Sequence, residues 1–190
     1  MQSFKSFITE EENFLLFPRH VSQEGFLIHS YPSHVSRNFI CDVKSLKSLK
    51  GCPTIIDGEF NCANSKITSL EHGPIEVGGN YICWFSKITS LEFAAKKVGG
   101  SFDCAGTKIT SLKGISKDYL LEIGDELNCN TTKITSNILG ILGIKELKQF
   151  KFNTNRDIQD IINKHLSLDR DILECQEELI TNGLSQFAKL

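Results

Sequence analysis

Residues 77–91 read Val-Gly-Gly-Asn-Tyr-Ile-Cys-Trp-Phe-Ser-Lys-Ile-Thr-Ser-Leu, and residues 98–112 read Val-Gly-Gly-Ser-Phe-Asp-Cys-Ala-Gly-Thr-Lys-Ile-Thr-Ser-Leu. The second stretch repeats the first after 21 residues, and the word Ile-Thr-Ser-Leu also occurs at 67–70. Four cysteines keep the 21-residue spacing and a fifth follows after 25 residues: Cys41, Cys62, Cys83, Cys104 and Cys129. A fixed period of this length is typical of repeat architectures.

The apolar residues around each cysteine predict a stacked solenoid. They are Phe39, Phe60, Tyr81, Phe102 and Leu127 two positions before it, Leu46, Ile67, Ile88, Ile109 and Ile134 five positions after it, and Leu49, Leu70, Leu91 and Leu112 eight positions after it. An aromatic residue two positions before a cysteine has the period of a strand. One coil cannot bury this face alone, so the coils must stack, with each cysteine as a small buried apolar residue. An odd cysteine count without an export signal favours reduced thiols.

The pattern resembles the leucine-rich repeat, whose consensus is L-x-x-L-x-L-x-x-N-x-L. Residues 60–67 match its L-x-L-x-x-N-x-L part, although the consensus asparagine is replaced by Ser65, Ser86, Thr107 and Thr132, and by Lys44 in the first coil. A phage-encoded variety with Val-Gly-Gly-x-Phe-x-Cys coils is more similar, and the resemblance covers about residues 24–145. It implies an α/β repeat solenoid, that is, a short leucine-rich-repeat array with parallel strands, an N-terminal cap and a C-terminal helical pair.

The segments outside the repeats are predicted to close the two ends of the solenoid. Residues 1–23 form an N-terminal cap or a cleavable targeting segment, residues 24–145 the solenoid, and residues 146–190 a C-terminal helical cap. Apolar residues in the first segment predict an amphipathic helix that ends before Pro18. A capping-box-like Thr-Asn-Arg-Asp at 154–157 begins the first C-terminal helix, and the second begins at Ser167 or Asp169. An interaction arm is the alternative role for this helical pair.

The first ten residues also resemble the targeting peptide of internal capsid proteins of large tailed phages. In that family a protease cuts after a Leu/Ile-x-Glu triplet, which places the processing site at Ile8 and Glu10. The same triplet occurs at 120–122 and 172–174, so its position near the N-terminus is what favours this interpretation. The resemblance implies an internal virion protein, whereas the alternative is an ordinary capping segment.

Composition and motifs exclude several classes of protein. The chain has 190 residues, 40% of them hydrophobic and 23% charged, with a net charge of −2. This composition is typical of a folded chain, and no apolar run approaches the roughly 20 residues of a transmembrane helix. We find no Cys-x-x-Cys, no His-Glu-x-x-His and no phosphate-binding loop. We therefore expect no catalytic, cofactor-binding or metal-binding residues, and no enzymatic activity.

A partner-binding surface is predicted on the outer side of the strands. Its members are Asn61, Ile82, Trp84, Phe85, Asp103 and Asn128. The repeat already has its core residues, so the only tryptophan of the chain is not needed in the interior, and tryptophan is a preferred anchor in interfaces. The alternative is that Trp84 and Phe85 pack against the terminal helices.

A basic row is predicted along the coils, formed by Lys66, Lys87, Lys108 and Lys133. Four like charges about 5 Å apart repel each other, so solvent, Glu71 and Glu92, an acidic partner or a nucleic-acid backbone must offset them. The net charge of −2 argues against nucleic acid. The resemblance to phage proteins suggests a module in the host cytoplasm that binds and inhibits a host protein, such as a defence or restriction factor. Pairing of solenoid edges into a homo-oligomer stays open.

Overall fold

The strands of the computed structural model, which describes residues 13–189, form two parallel ladders. The first ladder has seven strands in the order β1 (Phe14–Leu15), β3 (Phe39–Ile40), β5 (Phe60–Asn61), β7 (Tyr81–Ile82), β9 (Phe102–Asp103), β11 (Glu126–Asn128) and β12 (Gln149–Lys151). The second has five: β2 (His34–Val35), β4 (Ile55–Ile56), β6 (Glu76–Val77), β8 (Lys97–Val98) and β10 (Glu122–Ile123). The chain is therefore a parallel β-solenoid, which confirms the predicted repeat fold. We number coils one to five by their cysteines, from Cys41 to Cys129.

The interior contains the predicted residues of every coil. The aromatic column Phe39, Phe60, Tyr81 and Phe102 is fully buried, with successive ring centroids 6.3, 4.8 and 4.7 Å apart. The five cysteines of the repeat are buried and reduced, and burial raises the pKa of the Cys62 and Cys83 thiols well above the ordinary value. Each coil thus contributes one layer to a continuous core.

A buried hydroxyl group occupies the same register position in four of the coils. Ser65, Ser86, Thr107 and Thr132 each donate a hydrogen bond to the carbonyl of the cysteine three residues earlier, at 2.8, 2.7, 2.7 and 2.6 Å. In coil one Lys44 is exposed and Val43 is buried instead. The hydroxyls satisfy a backbone acceptor at the turn that follows each strand.

The Gly-Gly pairs allow neighbouring coils to approach closely at the bend between the two ladders. The Gly78 amide donates to the Ile56 carbonyl at 2.8 Å, and a Cβ on Gly78 would lie 2.2 Å from the Asp57 carbonyl oxygen. A Cβ on Gly99 would lie equally close to the Gly78 carbonyl oxygen, at 2.2 Å. Neither glycine has a left-handed backbone, so what these positions require is the absence of a side chain.

The N-terminal cap begins with a strand. β1 pairs with β3, as the Phe14 amide donates to the Asn38 carbonyl at 2.9 Å and the Leu16 amide to the Ile40 carbonyl at 2.8 Å. The predicted amphipathic helix before Pro18 is therefore wrong for residues 14–17, because pairing with the exposed edge of the ladder satisfies more backbone groups than a short helix would. Residues 1–12 lie outside the described part, and with them Ile8 and Glu10 of the expected processing site.

Two helices close the C-terminal end, one of them later than expected. Helix α1 (Arg156–Ser167) begins after Asn155, whose side chain accepts a hydrogen bond from the Ile158 amide at 3.1 Å. Helix α2 (Ile172–Thr181) begins after Asp171, whose carboxylate caps the first turn, whereas the sequence suggested Ser167 or Asp169. Helix α1 packs against β12, and both helices pack against a 3₁₀ helix at Ile138–Gly143 and against each other. The first ladder itself continues into β12, beyond residue 145.

Four additional residues account for the 25-residue spacing between Cys104 and Cys129. Residues 116–119 form a tight turn, in which the Ser116 amide donates to the Tyr119 carbonyl at 2.9 Å. The stack resumes directly afterwards, since the Leu120 amide donates to the Ala95 carbonyl at 2.9 Å. The insertion therefore projects from the side of the solenoid and leaves the layered core in register. No helix within residues 13–189 has both the length and the apolar character that spanning a membrane requires.

Candidate protein-binding surface

Three large apolar residues of coil three form an exposed cluster, which we call the aromatic patch: Ile82, Trp84 and Phe85. Trp84 is 40% exposed and Phe85 53% exposed, while Ile82 is half-buried at the end of β7. The two rings contact each other, with centroids 5.5 Å apart and planes tilted by 30°. Helix α1 packs against β12, three strands further along the ladder, and the C-terminal helices do not bury this pair.

Ile82 replaces a residue that stabilises the turn in other coils. The ladder aligns Asn61, Ile82, Asp103 and Asn128 side by side on the outer face. The side-chain oxygens of the three polar members accept hydrogen bonds from the amides two residues later, at 3.0 Å for Ala63, 2.9 Å for Ala105 and 3.1 Å for Asn130. Isoleucine has no acceptor, so coil three gives up this hydrogen bond and presents an apolar side chain instead.

Phe85 occupies a left-handed backbone position. Its φ is 51°, and the residues at the same place in coils two, four and five are Asn64 (54°), Gly106 (67°) and Thr131 (60°). Asparagine and glycine are favoured in this region, whereas a bulky residue is rare there and strained. The Phe85 ring lies over Gly106, where an added Cβ would come within 2.2 Å of ring atom Cδ1. Glycine in coil four thus provides the platform for the ring.

The ladder next to the patch is polar towards the C-terminal end. The Asn128 amide group donates to the Asp103 carboxylate at 3.1 Å, and Lys151 pairs with Glu126 at 2.6 Å. Asp103 and Glu126 therefore have separate partners and do not form a carboxylate pair. The predicted outer residues Asn61, Ile82, Asp103 and Asn128 lie on one face, with Trp84 and Phe85 at the turn that borders it.

The basic row is aligned by backbone hydrogen bonds. The amides of Lys66, Lys87, Lys108 and Lys133 donate to carbonyl oxygens of the preceding coil at 2.8, 2.9, 3.0 and 3.2 Å, respectively. All four side chains are exposed, and none makes an ion pair or hydrogen bond within residues 13–189. Glu71, which was expected to help offset the row, contacts His72 at 3.6 Å instead.

A groove on another side of coil three was not predicted from the sequence. It has a volume of about 560 Å³ and is lined by Cys52, Thr54, His72, Ile75, Phe93 and Tyr119, among others. Phe93 is 50% exposed with a φ of 65°, at a position where coils one and four have the glycines Gly51 and Gly114. This substitution of phenylalanine for glycine in the repeat register is the sequence signal that could have indicated the groove. Asp118 and Tyr119 of the inserted turn contribute a wall.

Titratable side chains of the described residues do not converge on a metal site. Residues 13–189 contain no cluster of three or more His, Cys, Asp or Glu side chains that could hold a metal ion. His34, one of two closely spaced histidines, contacts Asp57 at 2.9 Å on the surface. Comparisons with protein families, with curated proteins and with solved structures returned no match to this chain.

Proposed function

We propose that the protein is a non-enzymatic binding module that holds a protein partner through the aromatic patch. The observation that carries the proposal is the exposure of Trp84 and Phe85 in a coil whose interior is complete without them. Exposed aromatic anchors are common hot spots of interfaces because they contribute large contact areas and lose little conformational entropy on binding. The stacked coils supply a rigid base for these anchors.

The loss of local stability at the patch supports a binding role. Ile82 lacks the turn hydrogen bond that Asn61 and Asp103 make, and Phe85 takes a backbone conformation that favours glycine or asparagine. Local strain and missing hydrogen bonds are concentrated at functional sites, because selection for stability removes them wherever function does not require them. The resemblance to phage-encoded repeat proteins suggests the partner class: a host protein in the cytoplasm, such as a defence or restriction factor, which the module would inhibit.

An internal virion protein is the second candidate function. The triplet Ile8-Thr9-Glu10 precedes the first strand, so cleavage after Glu10 would leave all residues of the solenoid in place. The mass of the protein in purified particles distinguishes this role, since a packaged and processed chain lacks its first ten residues. Absence of the protein from particles would contradict it.

Affinity capture from a bacterial host lysate tests the first proposal. We expect the wild-type protein to retain one host protein, and Trp84→Ala to retain at least about tenfold less of it, as is typical of a hot-spot residue. Phe93→Ala is the matched control, because Phe93 is a similarly exposed aromatic residue on another side of the same coil. Equal capture by all three proteins would contradict the role of the patch. Light scattering of the purified chain shows whether the partner is a second copy.

A further inference from the structure

The aromatic patch and the basic row meet at one corner of the solenoid. Lys87 follows Phe85 by two residues, and the lysines of neighbouring coils align with it through the backbone ladder. Parallel pairing of this kind places the backbones of successive lysines about 5 Å apart. The stretch from Lys66 to Lys133 therefore measures about 15 Å, close to the length of a five-residue extended peptide.

We propose that the partner contributes an extended acidic segment, which lies along the basic row and places an adjacent apolar side chain on the aromatic patch. This inference rests on the proposed function and names the chemistry of its partner. Within residues 13–189 no carboxylate pairs with Lys66, Lys87, Lys108 or Lys133, so the row presents to an anionic ligand four positive charges that no protein group neutralises.

The residues beside the row add hydrogen-bond donors for the same ligand. Each lysine is followed, across one buried isoleucine, by an exposed threonine: Thr68, Thr89, Thr110 and Thr135. The Thr135 hydroxyl already donates to the Thr110 carbonyl oxygen at 3.4 Å, which leaves the other three as donors for the ligand. Because outward positions alternate with inward ones, the ammonium and hydroxyl groups form two parallel rows on one side. Carboxylates accept hydrogen bonds from both kinds of group.

A protein segment fits this corner better than a nucleic acid does. The strand face on the other side of Trp84 carries the acidic residues Glu59 and Asp103, and Asp42 occupies the register position of Trp84 in coil one. These carboxylates repel a uniformly anionic polymer that spreads beyond the row. Large aromatic residues occur at this corner in coil three, whereas coil four has Ala105 and Gly106 there, so successive bases would lack a continuous stacking platform. A peptide can change from acidic to apolar within a few residues.

Fluorescence anisotropy with defined probes tests this assignment. The probe is a labelled peptide Phe-Gly-Glu₆, compared with Phe-Gly-Gln₆ and with a 12-nucleotide oligothymidylate at low salt. We expect the glutamate peptide to bind more tightly than the other two. The double variant Lys87→Gln/Lys108→Gln should weaken its binding about five- to tenfold, as expected for two exposed charge pairs. Lys96→Gln/Lys117→Gln, which removes the same charge from the groove side, should change it by less than about twofold.

Three outcomes would overturn the inference: no binding of the glutamate peptide, equal weakening by both double variants, or tighter binding of the oligothymidylate. Its failure can be separated from failure of the proposed function by lysate capture. If Lys87→Gln/Lys108→Gln captures the host partner as well as the wild type does, the acidic segment is excluded and the aromatic patch stands. If Trp84→Ala also captures it fully, the proposed function fails.

Discussion

Coils three and four have the same interior and different surfaces. At the buried positions Tyr81, Cys83, Ile88 and Leu91 correspond to Phe102, Cys104, Ile109 and Leu112. At the outward positions Ile82, Trp84, Phe85 and Phe93 correspond to Asp103, Ala105, Gly106 and Gly114. Because both coils fold with almost identical backbone pairing, the inward residues specify the solenoid and the outward ones are free to serve binding. Coil three has large apolar residues at these positions, whereas coil four has small or polar ones.

The largest effect is expected from truncation of the shared interior. Phe102→Ala should lower the free energy of unfolding by about 3–5 kcal/mol, because the ring is fully buried and stacks on Tyr81 with centroids 4.7 Å apart. Trp84→Ala should lower it by no more than about 1 kcal/mol, since surface truncations cost little. Urea unfolding followed by far-UV circular dichroism measures both values. Similar losses for the two variants would place Trp84 in the interior and remove the contrast between core and patch.

The left-handed backbone at Phe85 should give the next largest effect. Phe85→Gly is expected to be more stable than Phe85→Ala by about 1–2 kcal/mol, because alanine keeps the strain of a φ of 51° and glycine relieves it. The same unfolding experiment applies. The reciprocal change in coil four, Gly106→Ala, should be destabilising and less so in the Phe85→Ala background, where the ring no longer covers this position. No difference between the glycine and alanine variants would mean that the turn relaxes.

Tyr81 is the one member of the aromatic column Phe39–Phe102 that carries a hydroxyl group, and this buried hydroxyl has no hydrogen-bond partner among residues 13–189. A buried donor without a partner is unfavourable, so Tyr81→Phe should raise the free energy of unfolding by about 1 kcal/mol. Phe102→Tyr is the converse change and should be destabilising. A loss of stability in Tyr81→Phe would indicate that the hydroxyl binds an ordered water molecule.

The smallest effect is expected at Ile82, where stability and binding should change in opposite directions. Ile82→Asn restores the acceptor that Asn61 provides to the Ala63 amide at 3.0 Å in coil two, so it should stabilise the protein by about 0.5–1 kcal/mol. The same change removes an apolar member of the aromatic patch and should weaken capture of the partner. Thermal unfolding of this variant tests the expected gain in stability, and lysate capture tests the expected loss of partner binding. Loss of both stability and capture would assign Ile82 to packing.

Much of the fold could be predicted because the interior residues recur at fixed distances from each cysteine. The spacing from Phe60 through Cys62 to Ile67 indicates which side chains point inward, and helix signals near Asn155 indicate the C-terminal cap. The second ladder was not predicted, because each of its strands has a single buried residue, such as Ile56 or Val77, and the sequence therefore shows no alternation there. The strand at Phe14–Leu15 was interpreted as helix because four consecutive apolar residues fit either structure, and pairing with a distant segment decides between them.

The site could be predicted in part. The alternation along the strands correctly places Asn61, Ile82 and Asp103 on one outer face. The strain at Phe85 depends on the turn geometry after the strand, and the groove depends on which coils the inserted turn approaches. Both depend on the way the coils stack, and the sequence of a single coil does not predict how it contacts its neighbours.

The inserted turn at residues 116–119 changes the surface of the solenoid and leaves the stacking of its core unchanged. Hydrogen bonds between coils resume immediately after it, so a length change at this corner adds little to the difficulty of folding. Every coil has an equivalent corner, at which a duplicated coil could gain or lose a few residues independently of its neighbours. Inserting turns of other lengths at this corner would give a series of proteins with the same solenoid core and with grooves of different shape.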